Sequence, residues 1–495
     1  MTDKVSIVRL PTGVPGLDEL VGGGLPEFSF NLIAGSPGSG KTTLAHQIMF
    51  SLAGPDRKAI FFTGLGEPAV KMLRYQQQFA FFDAEKVNGS IRFVNLSAEV
   101  LTGDFERVLA RIVEEVEAHD AALVFVDSFR SAALAAKRTQ GGESELQRFV
   151  QELGMRLTMW QATTFLVGEY LQSETDANPI FTVADGVLWL TQHVYRESMV
   201  RKMHVMKMRG QGPISGLHTF RISEEGIRVF PRAIVSDESA AIKALDGAGV
   251  IEQRLSLGIP VLDEMLGGGL PVGYSLLVAG PSGSGKTVLA THFLAEGAAR
   301  GEAGVIAAFE KTPYHSSSRT LQGLIEAGKL GMIDTRALDL SIDETLFEMA
   351  GMVRRLNAKR VVIDSLSGFE LALAPTFRED FRESLYRMVA VLTGMGTTIL
   401  MISELEDRYT DLRFSPYGSA FLTDAIIMQR YLEVRGELKR AMVVVKVRGS
   451  AHHKELRAFE ITDEGIVIGA ALGEYEGLLT GRPVPSAKDG GDQHQ

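Results

Sequence analysis

The chain has 495 residues, a formal net charge of −10, 45% hydrophobic and 23% charged residues, and no cysteine. The missing cysteine excludes disulfides and thiolate metal centres and gives no support to secretion, while the acidic balance argues against a surface that coats nucleic acid. The length suits roughly two to four domains, and either half can bury a full core; Met1–Leu10 lacks the apolar core of a signal peptide and no apolar run reaches membrane-span length, so a cytoplasmic location is expected.

The chain opens with Arg9-Leu10-Pro11-Thr12-Gly13-Val14-Pro15-Gly16-Leu17-Asp18-Glu19 and the turn-like Gly22-Gly23-Gly24-Leu25-Pro26. The apolar run Phe28 to Ala34 predicts a buried strand, and Thr43 to Phe50 predicts a helix. Between them, Gly35-Ser36-Pro37-Gly38-Ser39-Gly40-Lys41-Thr42 satisfies the Walker A pattern G-x-x-x-x-G-K-[ST] in the strand, loop, helix setting that it needs. Asp104 to Ala118 predicts an outer-layer helix. Leu123-Val124-Phe125-Val126-Asp127-Ser128 is an apolar run ending in aspartate, the Walker B pattern. Trp160 and Trp189 are expected in the core. The alternating stretches around Ala184-Asp185-Gly186-Val187, Val205-Met206-Lys207-Met208-Arg209-Gly210 and His218 to Ile227 read as strands closing a sheet.

After a polar, glycine-containing stretch from Pro231 to Gln253, the pattern repeats. Arg254 to Glu264 and Gly267-Gly268-Gly269-Leu270-Pro271 match the opening; Tyr274 to Ala279 predicts the strand, Val288 to Glu296 the helix, and Gly280-Pro281-Ser282-Gly283-Ser284-Gly285-Lys286-Thr287 is a second Walker A loop. Ser341 to Leu356 predicts an outer helix and Val361-Val362-Ile363-Asp364-Ser365 a second Walker B strand. Thr423-Asp424-Ala425-Ile426, Val444 to Gly449 and Arg457 to Ile466 close the second copy. Residues 1–232 and 253–472 are thus expected as duplicated domains, joined by a linker over 233–252 and followed by a tail over 473–495 whose polar end is expected to be disordered.

Two such loops imply two nucleoside triphosphate sites. Glycines let backbone N–H groups approach phosphate oxygens, and the helix that follows points its positive end at the anion. The binding sets are Gly35, Ser36, Pro37, Gly38, Ser39, Gly40, Lys41, Thr42 and Thr43, and Gly280, Ser282, Gly283, Ser284, Gly285, Lys286, Thr287 and Val288. Lys41 and Lys286 are expected to reach the β- and γ-phosphates of ATP, where they also serve the chemistry; Thr42 and Thr287, with Asp127 and Asp364, are expected to hold Mg²⁺ directly or through water.

Taken together, these motifs and their tandem arrangement resemble the KaiC family within the RecA-like P-loop ATPases, over nearly the whole chain. The resemblance implies an α/β fold of two tandem RecA-like P-loop domains, each a mostly parallel central sheet flanked by helices. It also implies a homo-oligomer, a two-tiered hexameric ring with ATP between subunits. In that family the Lys-x-Arg strand reaches the neighbour's nucleotide, which gives Lys207, Arg209, Lys446 and Arg448 trans-acting roles; the bland alternative is a solvated charge pair on an edge strand. A histidine tends to follow the motif: His452 fits in the second copy, and Pro213 takes its place in the first.

The departures from the family pattern are as informative. Members carry paired acidic residues after the strand that follows the Walker A helix, and these act on the attacking water. The second copy has Glu310 followed by Lys311; the first has Leu65 and Gly66, with Glu67 two residues later. A two-residue shift keeps the facing direction but moves the group about 6–7 Å. Unequal sites are therefore expected: the second hydrolyses ATP with Glu310 as base, and the first binds ATP but turns over slowly unless a local bend brings Glu67 back. Clock members phosphorylate adjacent Ser and Thr at positions matched here by Ala420 and Phe421, which have no hydroxyl; Ser415, Tyr417 and Ser419 are the nearby alternatives. Gly477 to Pro483 resembles the family's regulatory tail loop.

The function expected is an ATP-hydrolysing switch or scaffold in signalling, with a KaiB-like or other signalling protein as partner. The alternatives are a serine/threonine autokinase and, less favoured, a RecA-like DNA motor, for which no basic, aromatic-rich segment stands out.

Overall fold

The computed structural model describes residues 7–64, 69–102, 104–128, 142–175, 178–195, 198–232, 253–309, 319–334, 341–373, 381–405, 422–434, 436–463, 465–473, 475–476 and 484–485. The chain falls into two compact units, Met1–Arg232 and Ala233–Gln495.

In the first unit, β1 (Arg9–Leu10) pairs antiparallel with β2 (Leu25–Pro26). The main sheet is built from β3 (Phe30–Gly35), β4 (Lys58–Thr63), β5 (Ile91–Asn95), β6 (Ala121–Asp127), β7 (Thr163–Glu169), β8 (Gly186–Tyr195), β9 (Ser198–Met208), β10 (His218–Ser223) and β11 (Gly226–Phe230). Its order is β11-β10-β9-β8-β3-β7-β6-β4-β5. The strands from β8 to β5 run parallel, and β9, β10 and β11 follow as antiparallel neighbours. Covered on both faces, the central strands are buried along most of their length: all six residues of β3 are buried, Asn31 included.

The second unit repeats the plan. A small ladder joins β12 (Arg254–Leu255) to β13 (Leu270–Pro271). The sheet comprises β14 (Ser275–Gly280), β15 (Gly304–Ala308), β16 (Leu330–Asp334), β17 (Arg360–Asp364), β18 (Thr398–Glu404), β19 (Ala425–Val434), β20 (Glu437–Val447), β21 (Arg457–Thr462) and β22 (Gly465–Ala471). Its order, β16-β15-β17-β18-β14-β19-β20-β21-β22, is that of the first sheet read from the other edge.

The Walker A helices, Lys41–Leu52 and Lys286–Ala299, cover one face of their sheets. Leu44 and Ile48 pack with Phe125, Phe165 and Val167, so odd-numbered residues of β6 and β7 face the helix. In the second unit Leu289 and Phe293 pack with Val362, Leu400 and Ile402, and even-numbered residues take that face. Outer helices close the other face: Phe105–His119 is capped by Asp104 Oδ1, which accepts from Arg107 N at 3.1 Å, and Ile342–Leu356 by Ser341 Oγ, which accepts from Glu344 N at 3.4 Å. Trp189 is buried in that layer and Trp160 packs against it, as expected.

Two local expectations are corrected. The strand expected from Phe28 begins at Phe30, because Phe28 has a left-handed φ of 62° and belongs to the turn before it. The Walker A helices begin at the lysines, before Thr43 and Val288, because Gly40 and Gly285 turn the chain at φ near 101° and 100° and release it directly into the first turn. The family-like opening segments serve the frame: Asp18 Oδ1 accepts from Thr12 N and Oγ1 at 2.8 and 2.7 Å, and Asp263 Oδ1 accepts from Leu257 N at 2.8 Å. Arg254 reaches back to Gly269 O at 2.8 Å, tying the triple-glycine turn to the first strand of its unit.

The first unit also buries a histidine. His46 lies on the Walker A helix, fully enclosed, its ring stacked on Phe61 at 4.5 Å, and burial pushes its pKa down to about 3. The folded pKa lies below the unfolded value, so the unfolded chain binds the extra proton. The stability held above pH 6.5 is lost as the pH falls toward 3. A loss on the order of 2 kcal/mol is expected by pH 5. Chemical denaturation across pH 5–7.5 checks this, and the His46→Leu protein should show a correspondingly shallower dependence.

Candidate functional site

The two phosphate loops make matching contacts. Lys41 Nζ donates to Ser36 O at 2.7 Å, and Lys286 Nζ to Pro281 O at 2.6 Å, so each ammonium is folded over its own loop. Burial lowers the Lys41 pKa, while the carboxylates of Glu169 and Asp127 pull it back up. A Cβ on Gly40 would fall 2.7 Å from Ile222 Cδ1, and one on Gly285 would fall 2.7 Å from Ile461 Cδ1, so both loops rest directly on the antiparallel part of the sheet. Ser39 and Ser284 are buried under the loops, whereas Pro37, Gly38, Ser282 and Gly283 are exposed at their crests. Ser36, Thr43 and Val288 are half-buried at their flanks.

Beside each loop, the threonine meets the Walker B aspartate. Thr42 Oγ1 donates to Asp127 Oδ2 at 2.7 Å, and Thr287 Oγ1 to Asp364 Oδ2 at 2.8 Å. These oxygen donors suit Mg²⁺, which takes few protein ligands and keeps waters and phosphates. Among the described residues no group of three or more His, Cys, Asp or Glu could hold a metal alone.

The Lys-x-Arg cations stand toward the opposite end of the strands. Met208 is in register with Gly186, and Gly186 with Asn31, at the start of β3; the loop leaves from Gly35 at its end. Val447 is likewise level with Ala425 and Leu276. Four residues of strand put the cations about 13 Å along the sheet from their own loop, and two strands across. β9 pairs with β10 only at Lys202 and Met203, and β20 with β21 only at Arg440, Ala441 and Met442, so among the described residues the Lys-x-Arg ends have a partner strand on one side alone; the arginine side chains are largely exposed, yet the cations are engaged. Lys207 Nζ donates to Thr182 O at 2.9 Å and Lys446 Nζ to Thr423 O at 2.7 Å; Arg209 pairs with Asp185 at 3.0 Å and Arg448 with Asp424 at 3.3 Å. Burial, reinforced by the adjacent arginine, lowers the pKa of both lysines. The same aspartates accept from Phe30 N and Ser275 N at 3.0 Å, so the start of the Walker A strand and the Lys-x-Arg segment share one anchor. His452 is half-buried, its Nε2 shielded from solvent without a hydrogen-bond partner among the described residues.

Glu67 and Glu310, with Leu65, Gly66 and Lys311, lie outside the described residues, as do Ser415, Tyr417, Ser419, Ala420, Phe421 and the segment 477–483. The chain enters both acidic segments beside the Walker B aspartate: Gly64 N donates to Asp127 O at 2.7 Å and Phe309 N to Asp364 O at 2.9 Å. Glu169 and Glu404, which end β7 and β18 next to the loops, were not singled out from the sequence. The repeat held the signal, since Thr163 to Glu169 and Thr398 to Glu404 are matching apolar runs that end in glutamate.

Two sheets of this order, each carrying a Walker A loop against a Walker B aspartate, define a tandem RecA-like P-loop protein. The model of the family described as ATPase, KaiC, matches residues 10–234 and again 255–472. The chain belongs to the KaiC ATPase family. It is 28% identical over 501 residues to the circadian clock protein KaiC3 of Synechocystis sp., covering 97% of this chain and 96% of that one. It is 26% identical over 509 residues to the circadian clock oscillator protein KaiC 1 of the same organism, covering 98% and 94%. Against the oscillator protein KaiC of Rippkaea orientalis it is 26% identical over 497 residues, covering 96% and 91%. Nucleotide binding and a general ATPase activity follow from the family. No described helix is long and apolar enough to cross a membrane.

Proposed function

We propose that the protein is a cytoplasmic, Mg²⁺-dependent ATPase that works as a nucleotide-driven switch or scaffold in signalling, with domains at 1–232 and 253–472. The observation that carries this reading is the Thr–Asp contact beside both loops, 2.7 Å in one and 2.8 Å in the other. Two units of one chain keep the same hard-oxygen pair beside the same lysine, as a metal-bound triphosphate requires.

Lys41 and Lys286 leave their backbone carbonyls for the β- and γ-phosphates, and the loop N–H groups hold the rest of the triphosphate. When bound, Mg²⁺ neutralises charge on the phosphate oxygens. In the second unit Glu310 orients and deprotonates the attacking water; in the first, where Leu65 takes that place, turnover is slower. Lys207, Arg209, Lys446 and Arg448, with His452, serve the nucleotide of a neighbouring subunit in a hexameric ring. Their position toward the far end of the strands from their own loops supports a role in trans. A KaiB-like or other signalling protein then reads the nucleotide state of the ring.

The test is phosphate release from ATP in Mg²⁺ and in EDTA, by the wild-type protein and by Thr287→Ala and Asp364→Asn. Loss of release in EDTA and a strong decrease in both variants are expected. Release that ignores chelation and both substitutions overturns the reading.

A further inference from the structure

Each phosphate site holds a carboxylate that neither Walker motif names. β7 lies between β3 and β6, so its C-terminal end opens between the phosphate loop and the Walker B aspartate. Its last residue, Glu169, is in register with Gly35, the first residue of the loop. β18 ends in the same way, with Glu404 in register with Gly280. The chain beyond each glutamate is fastened to the loop: Tyr170 N donates to Gly35 O at 3.4 Å and Leu405 N to Gly280 O at 3.1 Å.

Side chains alternate along a strand, so Glu169 shares the face of Phe165 and Val167, which pack under the Walker A helix. Asp127 shares the face of Leu123 and Phe125. Glu404 and Asp364 take the equivalent faces with Leu400, Ile402 and Val362. Both acids therefore converge on the side where the Walker lysine stands, and of the two, Glu169 acts more strongly on the Lys41 ammonium.

The two carboxylates are not equivalent. Asp127 is committed to Thr42, the metal side of the site. Glu169 is exposed at the strand tip, beside the ammonium that reaches the terminal phosphate. A water lined up on that phosphate needs a hydrogen-bond acceptor opposite the leaving group. In the first unit the position matching Glu310 is Leu65, which cannot accept a proton.

We propose that Glu169 is the carboxylate that orients the attacking water in the first site; Glu404 holds the matching position in the second, where Glu310 keeps that role. The water oxygen bonds to the γ-phosphorus as the bond to the β,γ-bridging oxygen breaks. Adenosine diphosphate carries away the electron pair of that bond. The water proton passes to the Glu169 carboxylate and from there to solvent. This rests on the proposed hydrolytic reading and adds a catalytic residue to it.

The experiment uses the full-length protein with Glu310→Gln as background, to silence the second site. Residual phosphate release is compared with and without Glu169→Gln and Glu169→Asp. Binding of a non-hydrolysable ATP analogue and the pH profile of kcat are measured alongside. The proposal expects slow residual turnover that Glu169→Gln lowers by about 10²-fold. Analogue affinity should stay nearly unchanged, the acid limb of the pH profile should disappear, and Glu169→Asp should recover part of the rate. Three results overturn it: no residual turnover in the background, an unchanged rate in Glu169→Gln, or a rate loss matched by lost affinity. The last would make Glu169 only a partner that steadies Lys41. Failure of the hydrolytic reading itself is separate, since then the wild-type protein releases no phosphate.

Discussion

Glu310→Gln is expected to lower steady-state ATP turnover by about 10²–10⁴-fold, the range over which a positioned general base contributes. The residue is one position beyond Phe309, whose N–H donates to Asp364 O at 2.9 Å, so the chain enters this segment beside the Walker B aspartate. Glutamine keeps the size and the hydrogen bonding but cannot take the proton. ATP binding should therefore persist while phosphate release collapses. Equilibrium binding beside turnover checks both halves, and a fall in affinity equal to the fall in rate would assign Glu310 to binding instead.

Joint replacement of Lys446 and Arg448 by alanine is expected to lower turnover by about 10³-fold, as removing a trans-acting cation does in related phosphoryl transfer. The geometry argues for action between subunits. Lys446 and Arg448 flank Val447, level with Leu276 at the start of the Walker A strand and about 13 Å along the sheet from the loop after Gly280. This location makes a complementation test decisive. The Lys446→Ala, Arg448→Ala chain keeps Glu310, and the Glu310→Gln chain keeps both cations. Each alone should be nearly inactive. An equal mixture that exchanges subunits should place intact partners at about a quarter of the interfaces and recover activity accordingly. No recovery after demonstrated subunit exchange would place the cations' effect within one chain.

Much of the site was legible because it is local in sequence. Gly35 to Thr42 and Gly280 to Thr287 are contiguous, and their glycines, lysines and threonines are dictated by phosphate chemistry. Asp127 and Asp364 could be read because a buried strand ending in a carboxylate stands out against apolar neighbours. What the sequence did not reveal depends on strand order. The insertion of β7 between β3 and β6 is a non-local pairing, and only that pairing brings Glu169 beside Lys41. The bond of Arg209 to Asp185 also crosses between elements, and no local pattern announces it. Boundaries failed where one residue took an unusual backbone angle, as at Phe28, whose φ of 62° no apolar pattern predicts.

The direct test of the account follows γ-labelled ATP with the purified full-length protein and Mg²⁺, separating free phosphate from label held on the protein. Label should be released as phosphate, with release strongly reduced in Glu310→Gln. Label accumulating on the protein would contradict it and make this chain an autokinase, even though neither Ala420 nor Phe421 carries a hydroxyl.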